Sequence, residues 1–370
     1  MADRMFWNGK KVFVTGHTGF KGGWLCLWLH LLGARVTGYG LRPPTNPSLY
    51  ASSRLDRFVE SHIADIRNKH VLYNRLYTSD PDIVIHMAAQ PLVRESYRNP
   101  GRTFEVNVMG TVNLLEAVTK AVKNGRRIKA VINVTTDKCY ENKEWIWGYR
   151  EHDALGGHDP YSGSKACSEL VTSSYRNSFF QPSDYGEHGV AIASARAGNV
   201  IGGGDWSAHR LVPDCMHSLQ NGQKIKIRNP RSIRPWQHVL EPSSGYMALA
   251  QKLYEKGPEY AEGWNFGPGH DDAKPVQWIV SRLCEKWGNG AGYEIDTGSY
   301  PHEASQLRLD CSKAGLRLDW HPKWHIETAV DKVVEWTRAY ASGRDPAESC
   351  IEQINEYERT GTRVTGDADS

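Results

Sequence analysis

The apolar run Val12-Phe13-Val14 leads into Gly16-His17-Thr18-Gly19-Phe20-Lys21-Gly22, and a helical pattern begins at once behind it. A Gly-x-x-Gly-x-x-Gly between a strand and a helix constrains the fold more than any other feature of the chain. Glycines permit the tight turn, and they let backbone N–H groups at a helix N-terminus approach a pyrophosphate. The cradle residues are Gly16, Gly19, Phe20 and Gly22. His17 departs from the pattern, because a bulky side chain crowds such a loop, either contacting phosphate or weakening the grip on a cofactor.

The same alternation continues down the chain. Arg35-Val36-Thr37, Ile83-Val84-Ile85, Ala130-Val131-Ile132-Asn133-Val134 and Val190-Ala191-Ile192-Ala193 are short and nearly continuous in apolar character, as strands buried on both faces should be. Helical spacings such as Trp24, Leu27, Trp28, Leu31 and Val108, Val112, Leu115, Val118 lie between them. The expected fold is α/β, a Rossmann-type doubly wound parallel sheet with a smaller C-terminal substrate domain. Residues 1–200 read as mainly the cofactor domain. Residues 201–350 read as the substrate domain, with chain crossovers allowed between the two, and 351–370 read as a polar tail whose end, Gly361–Ser370, frays.

Composition excludes several classes. Apolar residues make up 39% of the 370, mean hydropathy is −0.56, and no stretch approaches the roughly 20 apolar residues of a membrane span. The start, Met1-Ala2-Asp3-Arg4-Met5-Phe6, has no signal-peptide core, so the expectation is a cytoplasmic protein without a membrane partner. Seven scattered cysteines with no Cys-x-x-Cys spacing argue against disulfides and a metal site. A net charge of +3 with both signs interspersed argues against nucleic acid. The 13 Trp and 17 Tyr should mostly fill the core, with some left to stack on a sugar.

Chemistry concentrates at strand ends. Strand two ends in Gly38-Tyr39-Gly40-Leu41-Arg42, without the acid that grips an NAD ribose, and Arg42 could meet a 2′-phosphate instead. On the residues alone NAD and NADP both stay open. Asp65-Ile66 reads as the end of a third strand, where the carboxylate meets an adenine amino group under an Ile cover, or else caps a helix. In His86-Met87-Ala88-Ala89-Gln90 the small Ala88 and Ala89 let a dinucleotide lie close. Thr135-Thr136-Asp137-Lys138-Cys139-Tyr140 ends an apolar strand, and Tyr161-Ser162-Gly163-Ser164-Lys165 opens the next helix. Tyr161 and Lys165 share one helix face, so the ammonium is expected to draw the phenol toward neutrality and make it a general base. In this order, behind a nucleotide loop, these residues imply hydride chemistry on a sugar.

Over Lys11–Trp336 the chain resembles the extended short-chain dehydrogenase/reductases. Four motifs in order, the glycine loop, Thr136-Asp137-Lys138-Cys139-Tyr140, Arg196-Ala197-Gly198-Asn199-Val200-Ile201-Gly202-Gly203-Gly204-Asp205-Trp206 and Arg234-Pro235-Trp236-Gln237-His238-Val239, resemble the nucleotide-sugar 4,6-dehydratase branch. The resemblance implies NAD as a recycled cofactor and CDP-glucose as substrate. It further implies a homodimer or homotetramer built from cofactor-domain helices, and a place on a route to deoxyhexoses of surface polysaccharide such as lipopolysaccharide O-antigen. The implied steps are oxidation at C4, loss of water across C5–C6 and hydride return to C6. Tyr161 would take the C4 hydroxyl proton, Lys165 would tune Tyr161 and hold the nicotinamide ribose, and Thr136 would hydrogen-bond the same sugar oxygen.

Asp137 would protonate the departing C6 hydroxyl. Lys138 stands where related dehydratases carry the Glu that acts as C5 base. A lysine is a base only when burial depresses it strongly, and as a cation it would stabilise the enolate instead, so Cys139, Tyr140 and Glu141 stay open as alternatives. For substrate, the resemblance points to Gln90, Asn199, the phosphate-matching forks of Arg210 and Arg234, and Trp236 beside the Gly202-Gly203-Gly204 turn. Asn107 would support the Tyr–Lys network, and His302-Glu303 would close over the nucleotide. Two rivals share parts of this pattern: a nucleotide-sugar 4-epimerase, which needs no acid at C6 and so no Asp137, and a non-enzymatic dinucleotide sensor, which would be expected to lose the Tyr–Lys pair.

Overall fold

The computed structural model describes residues 3–296, 298 and 306–361. The cofactor half alternates as expected: β1 (Lys11–Thr15), α1 (Phe20–Leu31), β2 (Arg35–Gly40), β3 (Glu60–Ile63), α2 (Lys69–Ser79), β4 (Ile83–His86), α3 (Gly110–Lys123), β5 (Ala130–Val134), α4 (Pro160–Ser178) and β6 (Ala191–Arg196). Beyond them come α5 (Leu211–Gln220), α6 (Leu240–Lys256), β7 (Gly263–Asn265), α7 (Val276–Trp287), α8 (Ile326–Ala341) and α9 (Pro346–Arg359). The strands make one sheet in the order β7-β6-β5-β4-β1-β2-β3, parallel throughout. The winding direction reverses between β1 and β4, which opens a crevice at their C-terminal ends.

Strands β4 and β5 are buried at every position because helices cover both faces. Helix α1 is buried on more than the expected stripe: Trp24, Leu25, Cys26, Leu27, Trp28 and Leu29 are all inside. The sheet covers one side, while α6 and α9 cover the other, and full burial of each such side chain stabilises by about 1.5–3 kcal/mol. Eight of the 13 Trp, namely Trp7, Trp24, Trp28, Trp236, Trp264, Trp320, Trp324 and Trp336, are buried, so the aromatic excess chiefly builds core.

The chain crosses over between the two halves, since α6 packs on β5 and β6 and β7 extends the sheet at its edge. Two expectations are corrected here. Residues 351–370 do not begin as a polar tail: α9 runs to Arg359 with Ile354 and Tyr357 buried. Tyr357 is held by its hydroxyl on Glu241 at 2.7 Å and by the Trp28 and Trp324 rings. Of the stretch read as frayed only Gly361 is described, and residues 362–370 lie outside the described residues, as does His302-Glu303. Lastly, Val108 and Val112 are only half-buried. A π turn, Glu105–Met109, precedes α3 and rotates the apolar face onto Leu114, Leu115, Val118 and Ala121.

Helices α5, α7 and α8 enclose a second cluster that includes Cys215, Ile279, Leu283, Val330 and Val333. Short strand pairs, Ile225–Ile227 with Tyr293–Ile295 and Ile233–Pro235 with Ala273–Pro275, flank it. Among the described residues no helix is long and apolar enough to cross a membrane, and no group of three or more His, Cys, Asp or Glu could hold a metal.

Candidate active site

Two ends of the crevice carry the polar side chains. At the first, Gly16 has φ of +78°, and a Cβ there would lie 2.8 Å from the Ala88 nitrogen. A Cβ on Gly22 would run into the Gly16 carbonyl. The first turn of α1 has no side-chain cap from Gly19 and no acidic residue. Bare amides at the positive end of a helix, with no Cβ in the way, fit a dinucleotide pyrophosphate.

His17 packs against its neighbours on β2 and β3. Its ring lies away from the loop mouth, with Nε2 2.7 Å from Ser61 Oγ, the Tyr50 ring against it edge-on and Gly38 leaving it room. Burial pulls the imidazole down to about 4, so it is neutral and offers phosphate no charge. Asp65 lies beyond the end of β3. Its carboxylate is bound by Arg67 through Nε at 3.1 Å and Nη2 at 2.8 Å, and Asn68, not Asp65, caps α2. Ile66 is buried against Gly110, and Arg42 is exposed.

At the other end β5 delivers Thr135, Thr136 and Asp137, the last in a 3₁₀ turn, Asp137–Cys139. Helix α4 begins with Pro160 behind an Asp159 cap, whose carboxylate accepts from the Ser162 N–H at 3.0 Å. That cap places Tyr161 on the first turn and Lys165 one turn on. The Tyr161 hydroxyl is hydrogen-bonded to Thr136, and Thr136 Oγ1 donates to Asp137 Oδ1 at 2.9 Å. Asp137 is buried, its Oδ2 has no partner, and it fits only because position 198 is glycine.

The tuning of Tyr161 differs from expectation. Burial pushes its phenol up to about 12, the Thr136 hydrogen bond and Arg210 oppose this, and Asp137 and Asp159 add to it. Lys165 does not bring the phenol toward neutrality, because its ammonium donates to the Val134 carbonyl at 3.1 Å. Burial pulls Lys165 down to about 8, opposed by Glu169.

Among the remaining expected residues, Asn107 sits in the π turn and reaches α4 through Ser164 at 2.8 Å, while holding the Gln90 N–H and carbonyl. The Gln90 side chain binds Thr103 and both backbone groups of Leu92, so it braces its own loop and is not turned to substrate. Trp236 is core, its indole donating to the Lys274 carbonyl at 3.1 Å. Gly202 makes room for Phe20 and Val239, and Gly203 for Trp336. Arg234 sits on the Ile233–Pro235 strand with Nη1 3.0 Å from the Ile233 carbonyl. Arg210 pairs with Asp205 at 3.0 Å, and its charge reaches Tyr161. Asn199 is left-handed at φ +38°, and its Nδ2 is buried without a partner. Lys138 is half-buried, Cys139 and Tyr140 are raised by burial, and Glu141 pairs on the surface with Lys143.

Sequence reasoning missed Lys21. From the first turn of α1 its ammonium reaches the Tyr246 hydroxyl at 3.3 Å. Burial pulls it down to about 7, helped by Lys165 and Arg210 and opposed by Asp137. Its only signal was a lysine amid apolar neighbours in the glycine loop.

The family model for GDP-mannose 4,6 dehydratase matches residues 13–333. The chain belongs to that family. CDP-glucose 4,6-dehydratase of Salmonella typhimurium is 55% identical over 98% of this chain and 100% of its own length. Among solved structures of this fold, the dTDP-glucose 4,6-dehydratase DesIV of Streptomyces venezuelae, with NAD bound, has a TM-score of 0.75 at 22% identity, covering 91% of this chain and 99% of that one. The UDP-glucose 4-epimerase of Thermotoga maritima has 0.74 at 22%, covering 89% and 99%. The GDP-mannose 4,6-dehydratase family thus shares its fold with epimerases, and the fold alone does not choose between the two reactions.

Proposed function

We infer that this chain dehydrates CDP-glucose to CDP-4-dehydro-6-deoxyglucose as a hydro-lyase with NAD as its resident cofactor. The 55% identity to a CDP-glucose 4,6-dehydratase along the whole chain supports the substrate. The observation that carries the reaction type is Asp137, a buried carboxylate with one unpartnered oxygen beside Thr136. Epimerisation at C4 needs no such group. NAD, when bound, would accept a hydride from C4 and return it to C6.

The chain's own residues divide the remaining work. Thr136 and Tyr161 hold the C4 oxygen, and Tyr161 takes its proton. A 4-keto group makes the C5 proton acidic, and Lys138, half-buried on the same turn, is the cation that stabilises the enolate left when that proton goes. Asp137 supplies the proton on which the C6 hydroxyl leaves as water. Lys165, with Gly16, Gly19, Phe20, Gly22, Ala88 and Ala89 along the crevice, holds the cofactor. Arg210, Arg234 and Asn199 hold the substrate. The same inference places the protein in the cytoplasm, where nucleotide sugars are made, as a homodimer or homotetramer. The exposed Phe104, Met109 and Leu170 beside α3 and α4 suit such an interface.

Incubation with CDP-, dTDP- and GDP-sugars tests this directly. Alkaline absorbance of a 4-keto-6-deoxy sugar is expected from CDP-glucose, and Asp137→Asn should cut it by about 10²–10⁴. Appearance of CDP-galactose without a keto sugar would put the epimerase in its place.

A further inference from the structure

Beneath the crevice runs a chain of buried hydroxyls with one imidazole among them. Thr15 ends β1 directly before the glycine loop, and its Oγ1 accepts from the N–H groups of Met87 and Ala88, each at 3.1 Å. The same hydroxyl lies 2.7 Å from His86 Nδ1 at the end of β4. On its far side the imidazole reaches Thr111 of α3, Nε2 to Oγ1 at 3.3 Å. Thr111 donates to the Asn107 carbonyl in the π turn at 2.8 Å and meets Ser168 Oγ on α4 at 2.9 Å, while Asn107 holds Ser164. Ser164 and Ser168 lie one turn apart on either side of Lys165. Thr15, His86, Thr111, Ser164 and Ser168 are all buried.

We propose that His86 is a positioning residue: as a neutral ring with its proton on Nε2, it locks the crevice floor under the dinucleotide to the helix that carries Tyr161 and Lys165. The inference rests on the roles given to the crevice and to α4 above. The count of protons fixes the direction of the chain. Two backbone amides fill the acceptor positions of the Thr15 hydroxyl, so its one proton goes to His86. Nδ1 is therefore the acceptor and Nε2 the donor. Thr111, whose own proton goes to the Asn107 carbonyl, receives from Nε2 and from Ser168 Oγ, which in turn accepts from Asn133 Nδ2 at 2.9 Å. The opposite tautomer would set Nδ1–H against a hydroxyl with no free lone pair and lose a buried hydrogen bond at each nitrogen. Burial, with the charge of Lys165 adding to it, pulls the imidazole down to about 3, so the ring stays neutral. The floor it holds is in contact with the glycine loop, since a Cβ on Gly16 would lie 2.8 Å from both the Ala88 nitrogen and the Met87 carbonyl carbon. A shift of Met87 and Ala88 would therefore disturb the cradle of bare amides.

The test combines NAD titration, turnover of CDP-glucose and NMR of ¹⁵N-histidine-labelled protein. Thr111 is buried behind the ring, so an effect of Thr111→Val on the cofactor reports the link. That variant should weaken NAD binding about fivefold or more and lower kcat as well, and Thr111→Ser, which keeps the hydroxyl, should restore both. Thr15→Val should act in the same way, and the double variant should be little worse than either single one, because each breaks the same link. His86→Asn, whose shorter amide reaches only one of the two threonines, should weaken NAD as Thr111→Val does, and it serves where a valine variant fails to fold. A residue that only fills the core would lower the melting temperature and leave NAD affinity and kcat alone. In cofactor-free wild-type protein the His86 signals, identified by their loss in His86→Asn, should show an unprotonated Nδ1 and a protonated Nε2, with the Nδ1 signal displaced in Thr15→Val. A proton on Nδ1 in the wild type, unchanged NAD affinity and kcat in Thr111→Val or His86→Asn, or full additivity in the double variant overturns the proposal. Wild-type protein that leaves CDP-glucose untouched would overturn the proposed reaction instead, and NAD affinity and the ring tautomer, both read without sugar, would still decide the role of His86.

Discussion

Two carboxylate–arginine pairs stand at opposite ends of one crevice, and they differ in almost everything but chemistry. Asp65 and Arg67 lie two residues apart in sequence near the surface, with side chains 28% and 38% exposed. Glu169 and Arg196 come from a helix and a strand and are sealed in the core. A surface pair contributes about 0–1 kcal/mol and is screened by salt. Removing one partner of a buried pair costs about 3–5 kcal/mol, because an uncompensated charge stays behind. The Asp65 pair is thus a local, replaceable contact, and the Glu169 pair a long-range one whose members fix each other.

The sharpest way to break this contrast is at the reaction end. Tyr161→Phe removes the base and should lower turnover by about 10²–10⁴, while titration with NAD gives nearly unchanged affinity. A variant keeping more than half of wild-type activity would take Tyr161 out of the mechanism. At the adenosine end, Gly38→Ala should cost about 1–3 kcal/mol by overpacking, since a Cβ there would run into the His17 ring. Thermal unfolding reads the loss, and adding His17→Ala should recover most of it if the ring is the obstacle. The smallest effect is expected from Asp65→Asn, within about 1 kcal/mol and vanishing at high salt. A larger, salt-independent loss of stability would show that this end is not the loosely held one.

How much of this could be read from the chain varies with the range of the contacts involved. The positions of Thr136, Asp137, Tyr161 and Lys165 at the end of a strand and the start of a helix were legible because both placements follow from local pattern and capping. The contacts of Gln90 and Trp236 could not be read from the chain, because motif membership does not tell which way a side chain turns. The amide of Gln90 is taken up by Leu92 and Thr103, and the indole of Trp236 by Lys274. Lys21 was invisible as a site residue because what makes it one, Tyr246, lies on α6, far along the chain.

The sequence by itself determined the alternating parallel sheet, the glycine loop and the placement of Thr136, Asp137, Tyr161 and Lys165 at a strand end and a helix start, since each depends on spacing of 2 or about 3.6 residues or on backbone room at a turn. Only the tertiary structure decided how those residues are charged. Burial raises Tyr161 and lowers Lys165, Lys21 and His17. The extent of burial is set by helices such as α6, brought in from the far end of the chain. Desolvation acts through every neighbour at once, and no window of sequence contains those neighbours.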